Sequence, residues 1–569
     1  MGVSQWYRGF FSLVLTLTLF TAIARSETIE QSLRKVTIPN SKDVRGYVTL
    51  PETLDDLEKS KIEWTSSRPD IVSDKRQGKI APGVVRRPPP GSQAVKVILT
   101  ACVRVRPHKT CREFHIKVQP SVRLAETSRY GMANFARSNM QAGQQIYMAS
   151  SVGNDATTWT AVNQGKAVLT STKGMHGVRD PSIVRSPEGD RFYLVATDLN
   201  VDGTDYGWID WDWAQSNASR YIEVWESQDL RTWSKQRHIL VAPPEAGMAY
   251  APEAIWDQEI GAYVVYWTSS LYREGTYYTP NTTDPNGRYP LTRNQILYAT
   301  TRDFIVFSQA KVMSGRPGHG TLDAVITHGE DGTYHRFVCD RISTGNDTQY
   351  FPCGGEDIYQ EQARSILAAE DEWEVISGCI THRILNTTYA EAPLVVRANP
   401  SDPRGKGYYL YADQKWPESP AGDPLEEQLQ PYWTKELISG NWSPINWTQK
   451  PEYDYAKGVM RHGSIIPLTT AEHAAWRGAE LTTISVTKPP HKTHYVLGEP
   501  LDLDGLRIEA IYSDSVIDDE LYEGYGGYAL SGFDSGILGT RIVTVSYTVV
   551  NVTRTSTFKV DVYKRHRRH

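Results

Sequence analysis

Arg191-Phe-Tyr-Leu-Val-Ala196 is a short run of aromatic and branched side chains, the composition that strands prefer. Ala262-Tyr-Val-Val-Tyr-Trp267 and Gly407-Tyr-Tyr-Leu-Tyr-Ala412 repeat it. Each belongs to a longer phrase: a strand built on Tyr or Phe, a charged turn, and a closing aromatic. The closing aromatics are Trp159, Trp233, Phe307, Trp373 and Trp442, at intervals of 74, 74, 66 and 69. Turns such as Gly329-Glu-Asp-Gly-Thr333 separate the strands, and no useful amphipathic helix interrupts them. Several strands per unit at a period near 70 predict propeller blades, and about 345 residues at that period make five.

The repeat also carries charge at a recurring place. Counting 16 to 21 residues past the first, third and fourth closing aromatics reaches Asp180, Asp323 and Glu391. The fifth gives His462, and the second gives Glu253. Matching position in a blade predicts convergence on the propeller axis. Asp180 lies in Gly177-Val-Arg-Asp-Pro-Ser-Ile183, Asp323 in Gly320-Thr-Leu-Asp-Ala-Val325, and Glu391 in Tyr389-Ala-Glu-Ala-Pro393. Gathered carboxylates raise one another's pKa, because like charges close together disfavour joint ionisation. Glycoside hydrolysis needs that split, one protonated acid for the leaving oxygen and one ionised base to activate water. A third carboxylate can hold the acid in place. Capping a turn is the competing role for any one of them; three at one phase point to catalysis.

Residues 32–120 alternate apolar and polar in short strands with Pro/Gly turns, which predicts a β-sandwich. The run Ile62-Glu-Trp-Thr-Ser-Ser-Arg-Pro-Asp70 resembles bacterial-type immunoglobulin-like modules, with Trp64 as a core aromatic. Residues 484–563 resemble a second such module through Tyr495-Val-Leu-Gly-Glu-Pro-Leu-Asp-Leu-Asp-Gly-Leu506 and Gly539-Thr-Arg-Ile-Val-Thr-Val-Ser-Tyr547. Neither shows a catalytic constellation, so both read as spacers or polysaccharide-binding modules. The fold class is therefore all-β: a five-bladed propeller over 126–470 between two sandwiches.

At 569 residues the chain is too long for a single core. A net charge of −5 and the absence of a basic face argue against nucleic acid. The 16 Trp and 32 Tyr suit both β cores and sugar stacking. Residues 1–24 read as a signal peptide: Arg8, an apolar stretch Phe10 to Phe20, then Ala22-Ile23-Ala24. No apolar run of membrane-spanning length follows, so a secreted, extracellular protein with no membrane partner is expected. Sequons at Asn217, Asn281, Asn346, Asn386, Asn441, Asn446 and Asn551 fit that route. Of five cysteines, Cys102 and Cys111 flank a turn and can bridge neighbouring strands, while Cys339, Cys353 and Cys379 form one pair in three ways. The CxxC spacing of a zinc site is absent.

The central domain resembles glycoside hydrolase family 43, five-bladed propellers that include arabinofuranosidases, arabinanases and xylosidases. The matching stretches are Arg179-Asp-Pro-Ser-Ile183, Leu322-Asp323 before Gly329-Glu-Asp-Gly332, Glu391-Ala-Pro393 and Arg461-His-Gly-Ser464. Tyr250-Ala-Pro-Glu253 is similar to the family's Trp-Ala-Pro-acid phrase with Tyr for Trp, and Glu-Ala-Pro replaces the usual Glu-Gly-Pro. The resemblance implies Asp180 as general base, Glu391 as general acid, and Asp323 as the residue that orients the acid and tunes its pKa. It makes Glu253 structural, leaving it the rival to Asp323 by phase alone. It implies inversion, hence carboxylates about 6.5–9.5 Å apart. No cofactor is required; His462 with waters would hold any calcium ion on the axis, and a neutral His462 bonding to the carboxylate network is the alternative.

Arg179 and Arg461 are candidates for pairing with these acids or binding a sugar hydroxyl. The loop Tyr206-Gly-Trp-Ile-Asp-Trp-Asp-Trp213 follows the strand ending at Asp198 and is the candidate sugar platform, with Trp208 first and Asp198 beside it. Asp284-Pro-Asn-Gly287 is similar to the nucleophile phrase of invertase-like propellers but lies out of phase in a polar loop. The expected activity is a monomeric, inverting α-L-arabinofuranosidase acting on plant arabinan or arabinoxylan polysaccharide. Endo-arabinanase, β-xylosidase, galactofuranosidase and a non-catalytic carbohydrate-binding propeller are the alternatives.

Overall fold

The computed structural model describes residues 28–54, 57–105, 108–137, 144–201, 211–273, 294–315, 320–340, 353, 356–387, 389–415, 428–454 and 459–565. The signal-peptide segment, Trp208, the sequons Asn281 and Asn346, and Asp284-Pro-Asn-Gly287 lie outside them. The chain divides into two compact units. One is Met1–Val122 with Trp256–Tyr263 and Thr301–Val306, and the other is the remainder.

In the first unit, antiparallel strands Thr53–Leu54, Leu57–Ser66, Val95–Val105 and His108–Val118 form one sheet. It lies over a core that includes Trp64, Val97, Leu99, Phe114 and Ile116. Trp64 packs against Phe114 and donates its indole N–H to the Pro51 carbonyl at 2.8 Å, so it fills the core with its polar atom satisfied. Cys102 and Cys111 sit opposite one another in register and form a disulfide, the cross-strand bridge expected from their spacing.

The second unit holds the propeller, built from five four-stranded sheets. Four start with Val178–Arg185, Tyr250–Asp257, Thr321–His328 and Tyr389–Arg397, and their other strands follow in chain order. The fifth is composite. Its inner strand, Val459–Leu468, pairs with Arg129–Arg137 from the opposite end of the domain, which continues into Tyr147–Ser151 and Trp159–Ala161. This pairing closes the ring and removes its two open edges. Inner strands pack on inner strands: Val459–Leu468 touches both Val178–Arg185 and Tyr389–Arg397, and the latter touches Thr321–His328. The repeat in the sequence has a simple structural meaning. Each closing aromatic stands at or just before the outermost strand of its blade, and Trp159, Trp373 and Trp442 are buried there.

The C-terminal module belongs to the same unit. Leu481–Lys488, Arg507–Tyr512 and Ile517–Asp518 form one sheet, and Tyr528–Ser531, Gly539–Val549 and Val552–Tyr563 with parallel His494–Val496 form the other. A buried helix, Thr470–Trp476, follows the ring-closing strand, its N-terminus capped reciprocally by Thr469 and Glu472. Its Ala471, Ala474 and Ala475 enter the core of the module, while Trp476 enters a core of the propeller. The buried ion pair Arg129–Asp518, 2.6 Å long, adds a second link. The remaining cysteines resolve as a Cys353–Cys379 disulfide and a buried Cys339 outside either disulfide, its thiol donating to the Ala390 carbonyl. The five described sequons, at Asn217, Asn386, Asn441, Asn446 and Asn551, are all exposed.

Candidate active site

The inner strands share one irregularity. Their register slips between Arg179 and Ser182, Leu322 and Val325, Glu391 and Leu394, and Met460 and Gly463. At each slip two residues face one on the neighbouring strand: Asp180-Pro181, Asp323-Ala324, Ala392-Pro393 and Arg461-His462. Asp180, Asp323 and Ala392 take left-handed backbone there, with φ of 52°, 51° and 53°, and Ala251 in Tyr250–Asp257 does so at 46°. Such conformations cost of order 1–3 kcal/mol per residue and persist where surrounding structure holds them. A bulge re-aims the side chain it carries. Here it turns successive inner strands toward a common centre.

That centre joins the residues singled out from the sequence. His462 stands between two carboxylates, with Nε2 2.7 Å from Asp180 Oδ1 and Nδ1 2.7 Å from Asp413 Oδ2. The approach to Asp180 is angled off the ring N–H direction, so that contact is ionic first. Burial opposes the charge, but Asp180 and then Asp413 outweigh it and push the His462 pKa up to about 10. Asp180 feels the converse. Burial pushes it up, yet the His462 charge, Arg179 and the Thr197 hydroxyl hold it well below the usual carboxylate range. Thr197 donates to Asp180 Oδ2 at 2.6 Å and accepts from the Ala251 N–H at 2.8 Å, tying the first blade to the second. Asp180 is an ionised, oriented carboxylate, 13% exposed.

Glu391 is fixed from both sides. Arg461 Nη2 donates to its Oε1 and the Tyr389 hydroxyl to its Oε2. Arg461 Nε donates in turn to Asp413 Oδ2 at 2.7 Å. A continuous chain thus runs Asp180–His462–Asp413–Arg461–Glu391. Asp323 stands outside this chain of bonds; its backbone N–H donates to Thr268 Oγ1 at 3.1 Å. Burial first, and then the charges of Glu391 and Asp180, push its pKa up to about 7. Asp180 and Asp323 therefore differ in protonation for identifiable reasons.

Glu253 joins the cluster at another level. It lies two residues beyond the left-handed Ala251, whereas Asp180 and Asp323 occupy the left-handed position itself. Its carboxyl accepts from Ser182 Oγ at 2.5 Å, and burial pushes its pKa up to about 7. The phase counted from the aromatics concealed this offset.

Asp413 went unnoticed in the sequence. It pairs with Glu391 across Tyr389–Arg397 and Tyr408–Lys415, just before the bulge, as Thr197 pairs with Arg179. Those two second-strand positions are equivalent, and each supports an axial carboxylate. Asp198 is one residue beyond Thr197 and points the other way. It accepts from the Met175 N–H and clusters with Glu223 and His238, which are 2.5 Å apart. Among the described residues no bond joins that group to the axial chain. Arg179 does reach the centre, with its guanidinium 4.7 Å from the Phe135 ring and 6.0 Å from that of Trp211.

A calcium ion held through His462 does not fit this donor set. Both ring nitrogens face carboxylates, the doubly protonated ring offers no lone pair, and the two carboxylate oxygens nearest it already face a cation.

Residues 126–474 match a family model described as "Probable glycosyl hydrolase domain", of the group related to glycoside hydrolase family 43. Residues 29–121 match the atrophied bacterial Ig domain, and 488–562 the bacterial Ig-like domain of group 3. An α-L-arabinofuranosidase of Bifidobacterium longum subsp. longum is 31% identical over 331 residues, 55% of this chain and 30% of that protein. The chain thus spans about three-tenths of that relative's length. An α-L-arabinofuranosidase of Fusarium graminearum with an iminosugar inhibitor aligns at TM-score 0.33 and 13% identity, over 64% of this chain and 85% of that one. A Penicillium chrysogenum α-L-arabinanase with arabinobiose aligns at 0.33 and 14%, over 63% and 79%.

Proposed function

Since the chain belongs to the family of glycosyl hydrolase domains related to glycoside hydrolase family 43, we propose that this glycosidase is an inverting α-L-arabinofuranosidase. The observation that carries the reading is the meeting of Asp180, Asp323 and Glu391 in different electrostatic settings. Asp180, kept ionised, is suited to take a proton from water on one face of the sugar. Glu391, oriented by Arg461 and Tyr389, is suited to deliver one to the leaving oxygen on the other face. Asp323 holds a proton up to about pH 7 and withholds a further negative charge from beside Glu391. His462 keeps Asp180 aimed. The named activity of the Bifidobacterium relative supports arabinofuranose as the sugar.

One observation favours a second assignment within the same site. Arg461 already pairs with Glu391, while Asp323 is the carboxyl with raised proton affinity. In that version Asp323 is the proton donor. Leaving groups separate the two: loss of the true acid hurts poor leaving groups and spares dinitrophenolate. If Glu391→Gln shows that pattern and Asp323→Asn does not, Glu391 is the acid.

Release of arabinose from an aryl α-L-arabinofuranoside tests the sugar, and proton NMR of the first-formed anomer tests inversion. Turnover of aryl xyloside alone moves the reading to β-xylosidase, and of aryl galactofuranoside alone to galactofuranosidase. Internal cleavage of linear arabinan moves it to an endo-arabinanase. Binding of arabinan without turnover of any of them identifies a carbohydrate-binding propeller. The two disulfides and five exposed sequons support secretion, and the proposed enzyme acts as a monomer on plant polysaccharide outside the cell. Mass spectrometry of the mature N-terminus and glycans tests that route.

A further inference from the structure

Three cationic side chains converge on the axis, and two of them are matched. Arg461 bonds Glu391 and Asp413, and His462 lies between Asp180 and Asp413. Arg179 differs. Among the described residues no carboxylate lies within ion-pair distance of it, and its buried Nε has no acceptor. Aromatic rings at Phe135 and Trp211 neighbour its guanidinium instead. Burial lowers the Arg179 pKa; Asp180 and Glu391 favour the cation from beyond ion-pair distance and the like charge of Arg461 opposes it, so on balance this cation is held at a cost. Trp211 is 40% exposed, an open indole beside it.

Aromatic neighbours occupy the faces of a guanidinium and leave its N–H edges free. Those edges match a carboxylate in bidentate fashion, and an anion there gives the cation the direct partner it lacks among the described residues. A sugar hydroxyl accepts one bond and brings no charge. An exposed indole meanwhile offers a stacking surface to the C–H face of a ring.

We propose that Arg179 and Trp211 form a subsite for a uronic acid residue adjoining the scissile glycosidic bond, Arg179 taking its carboxylate and Trp211 its ring. This rests on the arabinofuranosidase reading and narrows it to acidic, branched substrates.

The test uses the full chain and two arabinofuranosyl oligosaccharides, identical except that the sugar next to arabinose is glucuronic acid in one and glucose in the other. Wild type favours the acidic one in kcat/KM by about tenfold or more, the yield of one charge-assisted hydrogen bond. Added salt reduces the ratio. Arg179→Gln brings it close to one, and Arg179→Lys leaves it intermediate because the fork is lost but the charge stays. Equal rates in wild type, or equal losses on both substrates in Arg179→Gln, overturn the subsite. If neither is hydrolysed, the arabinofuranosidase reading fails by itself. Calorimetry with the same pair then decides: binding of the acidic compound that Arg179→Gln abolishes upholds the subsite, and equal binding of both, or none, ends it. Melting temperatures of the variants separate loss of fold from loss of recognition.

Discussion

The Nδ1 of His462 lies 2.7 Å from Oδ2 of Asp413, the same oxygen that receives Arg461 Nε at 2.7 Å. One buried carboxylate therefore sets the position of both the side chain facing the proposed base and the side chain gripping the proposed acid. Asp413→Asn keeps the shape and removes the charge. We expect kcat to fall about a hundredfold, the scale of a small misplacement of reacting groups. KM should move much less. Asp413→Ala leaves Arg461 and His462 without it and should destabilise the fold by about 3–5 kcal/mol. Denaturant melts check the second, steady-state kinetics the first; an Asn variant with wild-type kcat removes Asp413 from the mechanism.

Activity should not depend on calcium. His462 stands as a cation between two carboxylates and takes the place of a metal on the axis. Treatment with chelator, followed by dialysis, should leave kcat/KM unchanged, and added calcium should not raise it. His462→Gln should lose activity that calcium does not restore. A chelator-sensitive enzyme rescued by calcium contradicts this electrostatic account.

The pH profile should carry the mark of Asp323. Its pKa is raised to about 7, so the proton proposed to support turnover is present below that pH and lost above it. The basic limb of kcat/KM should fall near pH 7 and disappear in Asp323→Asn, whose residual rate is lower. For stability the sign is the same. The folded chain keeps this proton where the unfolded chain releases it, so the contribution of Asp323 is full below about pH 4 and declines as pH rises toward 7. His462 contributes stability that is full below about pH 6.5 and lost toward about 10.

Glu253→Gln should retain activity within about threefold, the scale of losing or weakening one ordinary hydrogen bond. The amide keeps an oxygen for Ser182, and the residue sits two places past the left-handed position. The basic limb should also stay in place. If this variant instead abolishes turnover, Glu253 replaces Asp323 as the helper.

The propeller was legible because its strands are short, aromatic and evenly repeated, and because Asp180, Asp323 and Glu391 carry Pro, Ala or Gly beside them. What could not be read was register. A bulge is a pattern of hydrogen bonds between strands, and nothing in Val-Arg-Asp-Pro-Ser alone says which residue goes unpaired. Hence Glu253 appeared in phase with Asp323. Asp413 was hidden for a related reason. It follows Gly407-Tyr-Tyr-Leu-Tyr-Ala412 within the strand Tyr408–Lys415, whose aromatic run advertised only packing. Its counterpart is Thr197, and attention fell on the neighbouring Asp198. Counting across paired strands, with the bulge included, would have found both.

The strand that closes the ring has a bearing on how the protein is made. Arg461 and His462 lie on Val459–Leu468, the last propeller strand to leave the ribosome, while its partner Arg129–Arg137 emerges more than 300 residues earlier. Asp180, Asp323 and Glu391 all precede it, but the cations that separate their charges arrive only at the end. A nascent chain thus holds its acids without their organiser, and catalysis begins only when its two ends meet.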